Sequence, residues 1–156
     1  MNNQPRATMY RDTKYRTLTW LLALCLSPPL LHAQDFWESA NNGLFGGDIR
    51  ALAIKSDGTI FAGTNGGVFS SSNNGASWTA VNSGLTNTEV GSLAINANGT
   101  IFAGTYGGGV FSSSNNGASW TAVNSGLTNT YVFSLAINTN GTIFAGTYGG
   151  GVFSSS

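Results

Sequence analysis

Hydrolytic chemistry needs carboxyl groups, and beyond residue 34 the chain holds five: Asp35, Glu38, Asp48, Asp57 and Glu89. Glycoside hydrolysis of the common kind sets two of them at a suitable separation across the bond. No pair stands out here, because all five precede Val90 and Asp57 sits where later copies of the same segment have Asn98 and Asn140. Asp57 is therefore expected to be a turn residue, whose short side chain bonds nearby backbone. Metal chemistry lacks donors. The only Cys and the only His, Cys25 and His32, lie within the first 34 residues, and no Asp cluster has ligand spacing. Neither zinc nor a calcium loop is supported, and no cofactor site is expected. Nucleic acid is excluded on charge: residues 35–156 carry only Arg50 and Lys55 against those five acids, a net charge of −3. Such a surface cannot neutralise phosphates.

The first 34 residues follow different rules. Arg6, Arg11, Lys14 and Arg16 precede an apolar run, Leu18 to Leu31, interrupted by Pro28 and Pro29 and followed by His32-Ala33-Gln34. This is the layout of a secretory signal peptide, expected to be cleaved after Ala33 or Gln34. The run is too short and too proline-broken for a spanning helix, so no membrane span is expected after cleavage. The expected location is periplasm, cell surface or extracellular. Without cysteines, the exported chain must be held together by its core alone.

The elements that would position any site come from a repeat. Trp78 and Trp120 are 42 residues apart, and the 37 residues that start at each differ only at Glu89/Tyr131, Gly91/Phe133 and Ala97/Thr139. A more diverged copy precedes them, with Trp37, Gly43, Leu44, Leu52 and Phe61 at the matching places. Within one copy, period-2 patterning gives strands at Val90–Ile95, Thr100–Thr105, Val110–Ser113 and Ser119–Asn124. Asn98-Gly99 predicts a two-residue type I′ hairpin. Four antiparallel strands in about 42 residues match a β-propeller blade. The expected fold is all-β, with a signal at 1–34 and propeller repeats over 35–156 in units of about 37–77, 78–119 and 120–156.

Two motifs strengthen this expectation. Ser71, Asn73, Gly75 and Trp78, repeated as Ser113, Asn115, Gly117 and Trp120, resemble the Asp-box or BNR repeat, with Asn in the Asp position. The segment TIFAGTYGGGVF is similar to repeats of two-component-regulator-type sensor propellers of bacterial exported proteins, with Phe61, Phe102 and Phe144 in the Trp position. These resemblances imply blades, and they leave activity open, since Asp-box repeats occur in sialidases, some glucanases, sorting receptors and other exported proteins. A sialidase-like site would need an arginine cluster that Arg50 alone cannot supply.

Parsing from Asp35 gives a fourth-type strand, FWESA, and then three sets of first, second and third strands. About three blades is fewer than the four to eight of closed propellers, so an incomplete ring is expected. The simpler expectation is the N-terminal fragment of a longer protein; the other is a ring assembled from several chains, self-associating through open blade edges. By resemblance to propellers, the loops joining fourth to first strands and second to third strands share the functional face. They carry Asp48, Glu89 and Tyr131 at one equivalent position and Asn65, Tyr106 and Tyr148 at another. Exposed tyrosines there stack on sugars or peptide groups; the competing reading packs them between blades. Arg50, Gly91 and Phe133 begin a strand near the axis, which favours packing or channel lining. The expected function is a non-catalytic binding or scaffold module for a protein, peptide or carbohydrate ligand. The alternatives are part of a glycoside hydrolase or sialidase-like propeller with its catalytic residues elsewhere, or the sensor portion of a receptor.

Overall fold

The computed structural model describes residues 36–155, so the signal segment lies outside the described residues. Among the described residues all the strands lie in the compact unit that begins at Ser39. They run in chain order as β1 (Ile49–Ile54), β2 (Ile60–Thr64), β3 (Gly67–Ser71), β4 (Thr79–Ala80), β5 (Val90–Ile95), β6 (Ile101–Thr105), β7 (Gly109–Ser113), β8 (Thr121–Ala122), β9 (Val132–Ile137), β10 (Ile143–Thr147) and β11 (Gly151–Ser154). Each strand pairs antiparallel with its chain neighbour, giving sheets β1-β2-β3-β4, β5-β6-β7-β8 and β9-β10-β11. These are propeller blades: up-and-down sheets of short strands, one per repeat.

The fourth strands are shorter than expected. Only Thr79–Ala80 and Thr121–Ala122 pair with the third strand, as Phe69↔Ala80, Ser70↔Thr79, Phe111↔Ala122 and Ser112↔Thr121. One backbone bond follows each, from Val81 N to Val68 O and from Val123 N to Val110 O at 2.9 Å, and side chains take over beyond it. Asn124 Oδ1 accepts the Val110 N–H at 2.7 Å and its Nδ2 donates to Gly108 O at 2.9 Å, and Asn82 does the same with Val68 and Gly66. One amide thus replaces the ladder where the chain leaves the sheet. The FWESA segment is not a strand either: residues 36–40 adopt no regular structure. The edges of β3 and β7 are taken by β4 and β8, and this segment does not pair with the edge of β11.

The hairpins also differ from the type I′ expectation. Gly99 has φ +80°, but Asn98 does not enter the positive-φ region. Gly99 N donates to Asn96 O at 2.9 Å and Asn96 N to Thr100 O at 3.0 Å, which makes a three-residue loop. Asn96 braces this loop, its Oδ1 accepting from the N–H groups of both Asn98 and Thr100. In the first copy Lys55 replaces that Asn, and Asp57 bonds the Thr59 N–H at 2.9 Å instead. Asp57 is the expected turn residue. The Thr59 bonds and then Lys55, 3.1 Å away, hold its carboxyl down at about 2.

Two apolar clusters lie between successive sheets. The first joins Phe61 and Val68 of the first sheet to Leu85, Val90, Ile101, Phe111 and Trp120 of the second unit. The second joins Phe102 and Val110 to Val132 and Ala145, with Leu127 and Ile143 against them. Trp120 is the anchor of the first, 4% exposed. Its indole Nε1 donates to Val81 O at 2.7 Å and its backbone N to Ser83 O at 2.8 Å. Trp78 repeats the arrangement with Ala40 O and Asn42 O at 2.8 and 2.9 Å. Gly84 permits this approach. It has φ +84°, and a Cβ there would run into the Trp120 carbonyl.

The Asp-box-like turns set up each Trp. Ser71 Oγ accepts the Gly75 N–H and donates to Asn73 Oδ1, both at 2.9 Å. Asn73 Oδ1 also accepts the Ser77 N–H, while its Nδ2 donates to Ser77 Oγ. Ser113, Asn115, Gly117 and Ser119 reproduce the network. Asn succeeds in the Asp position because its oxygen makes the bonds a carboxylate would make, and its amide bonds a hydroxyl that is free to rotate.

Trp120→Ala removes a buried indole and orphans Val81 O; the expected loss is about 3–5 kcal/mol of stability in urea unfolding. The half-buried Trp78 should cost less in the same assay, and equal losses would contradict this anchoring role. The pH dependence follows from Asp57. Its folded pKa lies below the usual 3.8, so its contribution is full above that value and fades as pH falls toward 2. Thermal melts should show the melting temperature dropping between pH 4 and pH 2, with a shallower drop in Asp57→Asn. Parallel curves for the two proteins would remove Asp57 from the account.

Candidate functional site: an aromatic strip across three blades

The first strands of all three sheets carry the same irregularity. Register shifts fall between Ile49 and Ala51 and between Val90 and Ser92, and opposite Val132 and Ser134, at Gly146/Thr147. The residue passed over is Arg50, Gly91 or Phe133. A bulge re-aims the side chain it carries, and bulges are common beside functional sites. Period-2 patterning gives no warning of it.

These three positions and the β6–β7 and β10–β11 turns build one feature. The Tyr106 ring lies over Gly91, where any Cβ would overlap it. On one side the Arg50 guanidinium stacks 4.8 Å from the ring centroid, a cation–π contact. On the other, Phe133 lies at 4.6 Å with the planes inclined by 37°, and Tyr148 follows Phe133 at 5.7 Å. Arg50, Tyr106, Phe133 and Tyr148 thus form a continuous strip drawn from all three sheets. Beside its far end lies an open groove of about 430 Å³, lined by Phe133, Ser134, Thr147, Tyr148 and Val152.

Backbone bonds fix the loops that present these rings. Tyr106 N donates to Glu89 O at 3.0 Å, Tyr148 N to Tyr131 O at 2.9 Å, and Tyr106 and Tyr131 form an isolated antiparallel bridge. Asn87 clamps the two loops of one blade, accepting the Glu89 N–H and donating to Tyr106 O; Asn129 does the same for Tyr131 and Tyr148. The signal for these asparagines in the sequence is the Asn-x-Glu and Asn-x-Tyr spacing, which sets each Oδ1 against the N–H two residues on.

The expected face residues therefore divide. Tyr106 and Tyr148 join the strip through Phe133, Tyr106 half-buried and Tyr148 73% exposed. Tyr131 is bridged to Tyr106 through its backbone and exposes its side chain. Asp48, Asn65 and Glu89 are exposed, outside the stacked rings. Arg50 and Phe133, expected to pack or to line a channel, pack on the Tyr106 ring and so belong to the strip. Among the described residues no group of three or more His, Cys, Asp or Glu could hold a metal ion. No helix among them is long and apolar enough to cross a membrane.

Comparison with known proteins agrees with this architecture. A family model, the DUF6242 beta propeller domain, matches residues 24–156, and the chain belongs to that family. No curated protein matches it. Among solved structures, the extracellular domain of the hybrid two-component system BT3049 of B. thetaiotaomicron superposes with TM-score 0.58 at 23% identity, over 69% of this chain and 15% of that one. PorZ, a surface component of the type-IX secretion system of Porphyromonas gingivalis, gives 0.56 at 21%, over 68% and 17%. An ancestral GH74 enzyme gives 0.57 at 28%, over 73% and 18%. The chain therefore spans less than a fifth of the length of these structures.

The strip depends on the absence of a side chain at residue 91. In Gly91→Val the Tyr106 ring must leave its place, at an expected cost of about 1–3 kcal/mol for overpacking. The direct readout is NMR: Arg50 side-chain protons, shifted upfield by the Tyr106 ring, should return to ordinary positions. Unchanged shifts would mean that the ring does not depend on Gly91.

Proposed function

We propose that the chain is an exported, non-catalytic propeller module that binds a neutral carbohydrate across the aromatic strip. The observation behind this reading is the strip itself: flat rings from the second and third blades, one guanidinium from the first and no carboxylate among the stacked groups. Such a surface suits the apolar faces of sugar rings and provides no acid–base pair for cleaving a bond. The signal-like leader supports export. Likeness to extracellular sensor domains and to a GH74 enzyme is compatible with a ligand on this face, although fold alone does not transfer activity.

The rival is membership of a propeller glycoside hydrolase whose acids come from outside these residues, and the 28% identity to the GH74 enzyme favours that rival over a sialidase-like one. The two readings separate experimentally. Affinity electrophoresis of the purified chain against a panel of soluble neutral polysaccharides should show retardation by at least one. Phe133→Ala and Tyr106→Ala should each weaken it by about tenfold or more, in the range of a lost aromatic contact. Retardation that ignores both substitutions, or none with any polysaccharide, would sink the proposal. Release of reducing sugar by the chain would establish the rival.

A further inference from the structure

Arg50 is the one guanidinium in residues 35–156, and it stands where the aromatic strip begins. The bulge between Ile49 and Ala51 takes its side chain out of the ladder alternation. The Tyr106 ring, with its centroid 4.8 Å from the guanidinium carbon, holds it by a cation–π contact. Such a contact engages the charge and leaves the N–H donors for other partners. The other cation beyond residue 34, Lys55, is tied to Asp57 at 3.1 Å and to Asn116 Oδ1 at 2.7 Å. That is the one ion pair among the described residues, so Arg50 has no carboxylate partner among them.

A guanidinium is a planar fork whose parallel N–H groups fit two neighbouring acceptors at once. Two ligand groups offer such a pair: a carboxylate, and two adjacent hydroxyls of a sugar ring. The charge around Arg50 separates them. Asp48 precedes it by two residues, and Glu89 is held beside Tyr106 by the Tyr106 N–H bond to its carbonyl at 3.0 Å; both are exposed. Two carboxylates against one guanidinium make these loops unfavourable to an acidic ligand, as does the net charge of −3 over residues 35–156. A neutral diol meets no such repulsion.

On the carbohydrate reading of the strip, on which this rests, we infer that Arg50 selects sugars whose pyranose rings keep two neighbouring hydroxyls free. It donates both arms of its fork to that pair while the ring lies against the aromatics. In a 1,4-linked hexose polymer every internal ring keeps the hydroxyls at C2 and C3 side by side. In a 1,3-linked glucan the oxygen at C3 forms the linkage, and the free hydroxyls at C2 and C4 are not neighbours. Both kinds of polymer present pyranose faces to Tyr106 and Phe133, so the fork is what tells them apart.

Affinity electrophoresis of the purified chain against glucomannan, which is 1,4-linked, and laminarin, which is 1,3-linked, reads this choice. The wild-type chain should bind glucomannan at least about tenfold more tightly, the ratio expected for a hydrogen bond to a charged group. Arg50→Lys keeps the charge and loses the fork. The side chain is exposed, so the fold should hold while the ratio between the two polymers collapses toward one. Phe133→Ala should weaken both polymers together. Equal retardation by the two polymers, or an Arg50→Lys chain that discriminates like the wild type, overturns the inference and leaves the carbohydrate reading standing. Polygalacturonate that retards the chain more than glucomannan does, and loses that advantage in Arg50→Lys, also overturns it and assigns the fork to a carboxylate. Retardation by none of the polymers removes the carbohydrate reading and the inference with it.

Discussion

Everything in this fold hangs on a tryptophan bonded twice to the chain that comes before it. The indole and the backbone N–H of Trp120 reach Val81 and Ser83 on the linker into its own blade, and the ring fills the gap toward the preceding sheet. One residue therefore closes a blade and joins it to its neighbour. A short antiparallel sheet has little interior of its own, so the apolar surface that stabilises the fold is that between sheets. The Ser-Asn-Gly turn before the Trp is the device that delivers it, and its bonds are all local.

The chain achieves this almost without charge. The box is neutral because Asn makes the bonds of Asp, and the one ion pair among the described residues, Lys55 with Asp57, occupies a hairpin where the other copies use Asn96 or Asn138. Lys55 also reaches Asn116 Oδ1 at 2.7 Å, so in the diverged first copy a long cation ties one blade to the box turn of the next. Polar side chains that bond backbone take the place that disulfides hold in many small exported domains.

How much of this was legible in the residues varied with the physics involved. Strand β5 was readable to the residue because period-2 alternation between hairpin and loop leaves no other parse. Strand β8 was overcalled because Asn124 substitutes its amide for a ladder, and nothing in SWTAVN marks where backbone pairing yields to side-chain pairing. The type I′ expectation rests on Asn98-Gly99, whereas the loop has three residues in every copy, whether Lys55, Asn96 or Asn138 starts it, and only the glycine takes positive φ. Tyr106 and Tyr148 were singled out as face residues, yet their link through Phe133 depends on a bulge, which period-2 reasoning assumes away. The varying pair Gly91 and Phe133 carries the information: where two copies are otherwise the same, the side chain missing at Gly91 leaves room for the Tyr106 ring, and the ring gained at Phe133 packs on it.

The near-identity of the second and third repeats also bears on how the chain finds its order. Strands β6 and β10 have the same sequence, Ile-Phe-Ala-Gly-Thr, so β5 would find in either one a partner of equal quality. Side chains do not distinguish the correct hairpin from the crossed one; loop length does. Closing a three-residue loop costs less entropy than closing one that spans a whole repeat, and the Asn96 and Asn138 turns hold that short loop ready. Correct sorting thus rests on the entropy of loop closure, which the turns at Asn96 and Asn138 keep small.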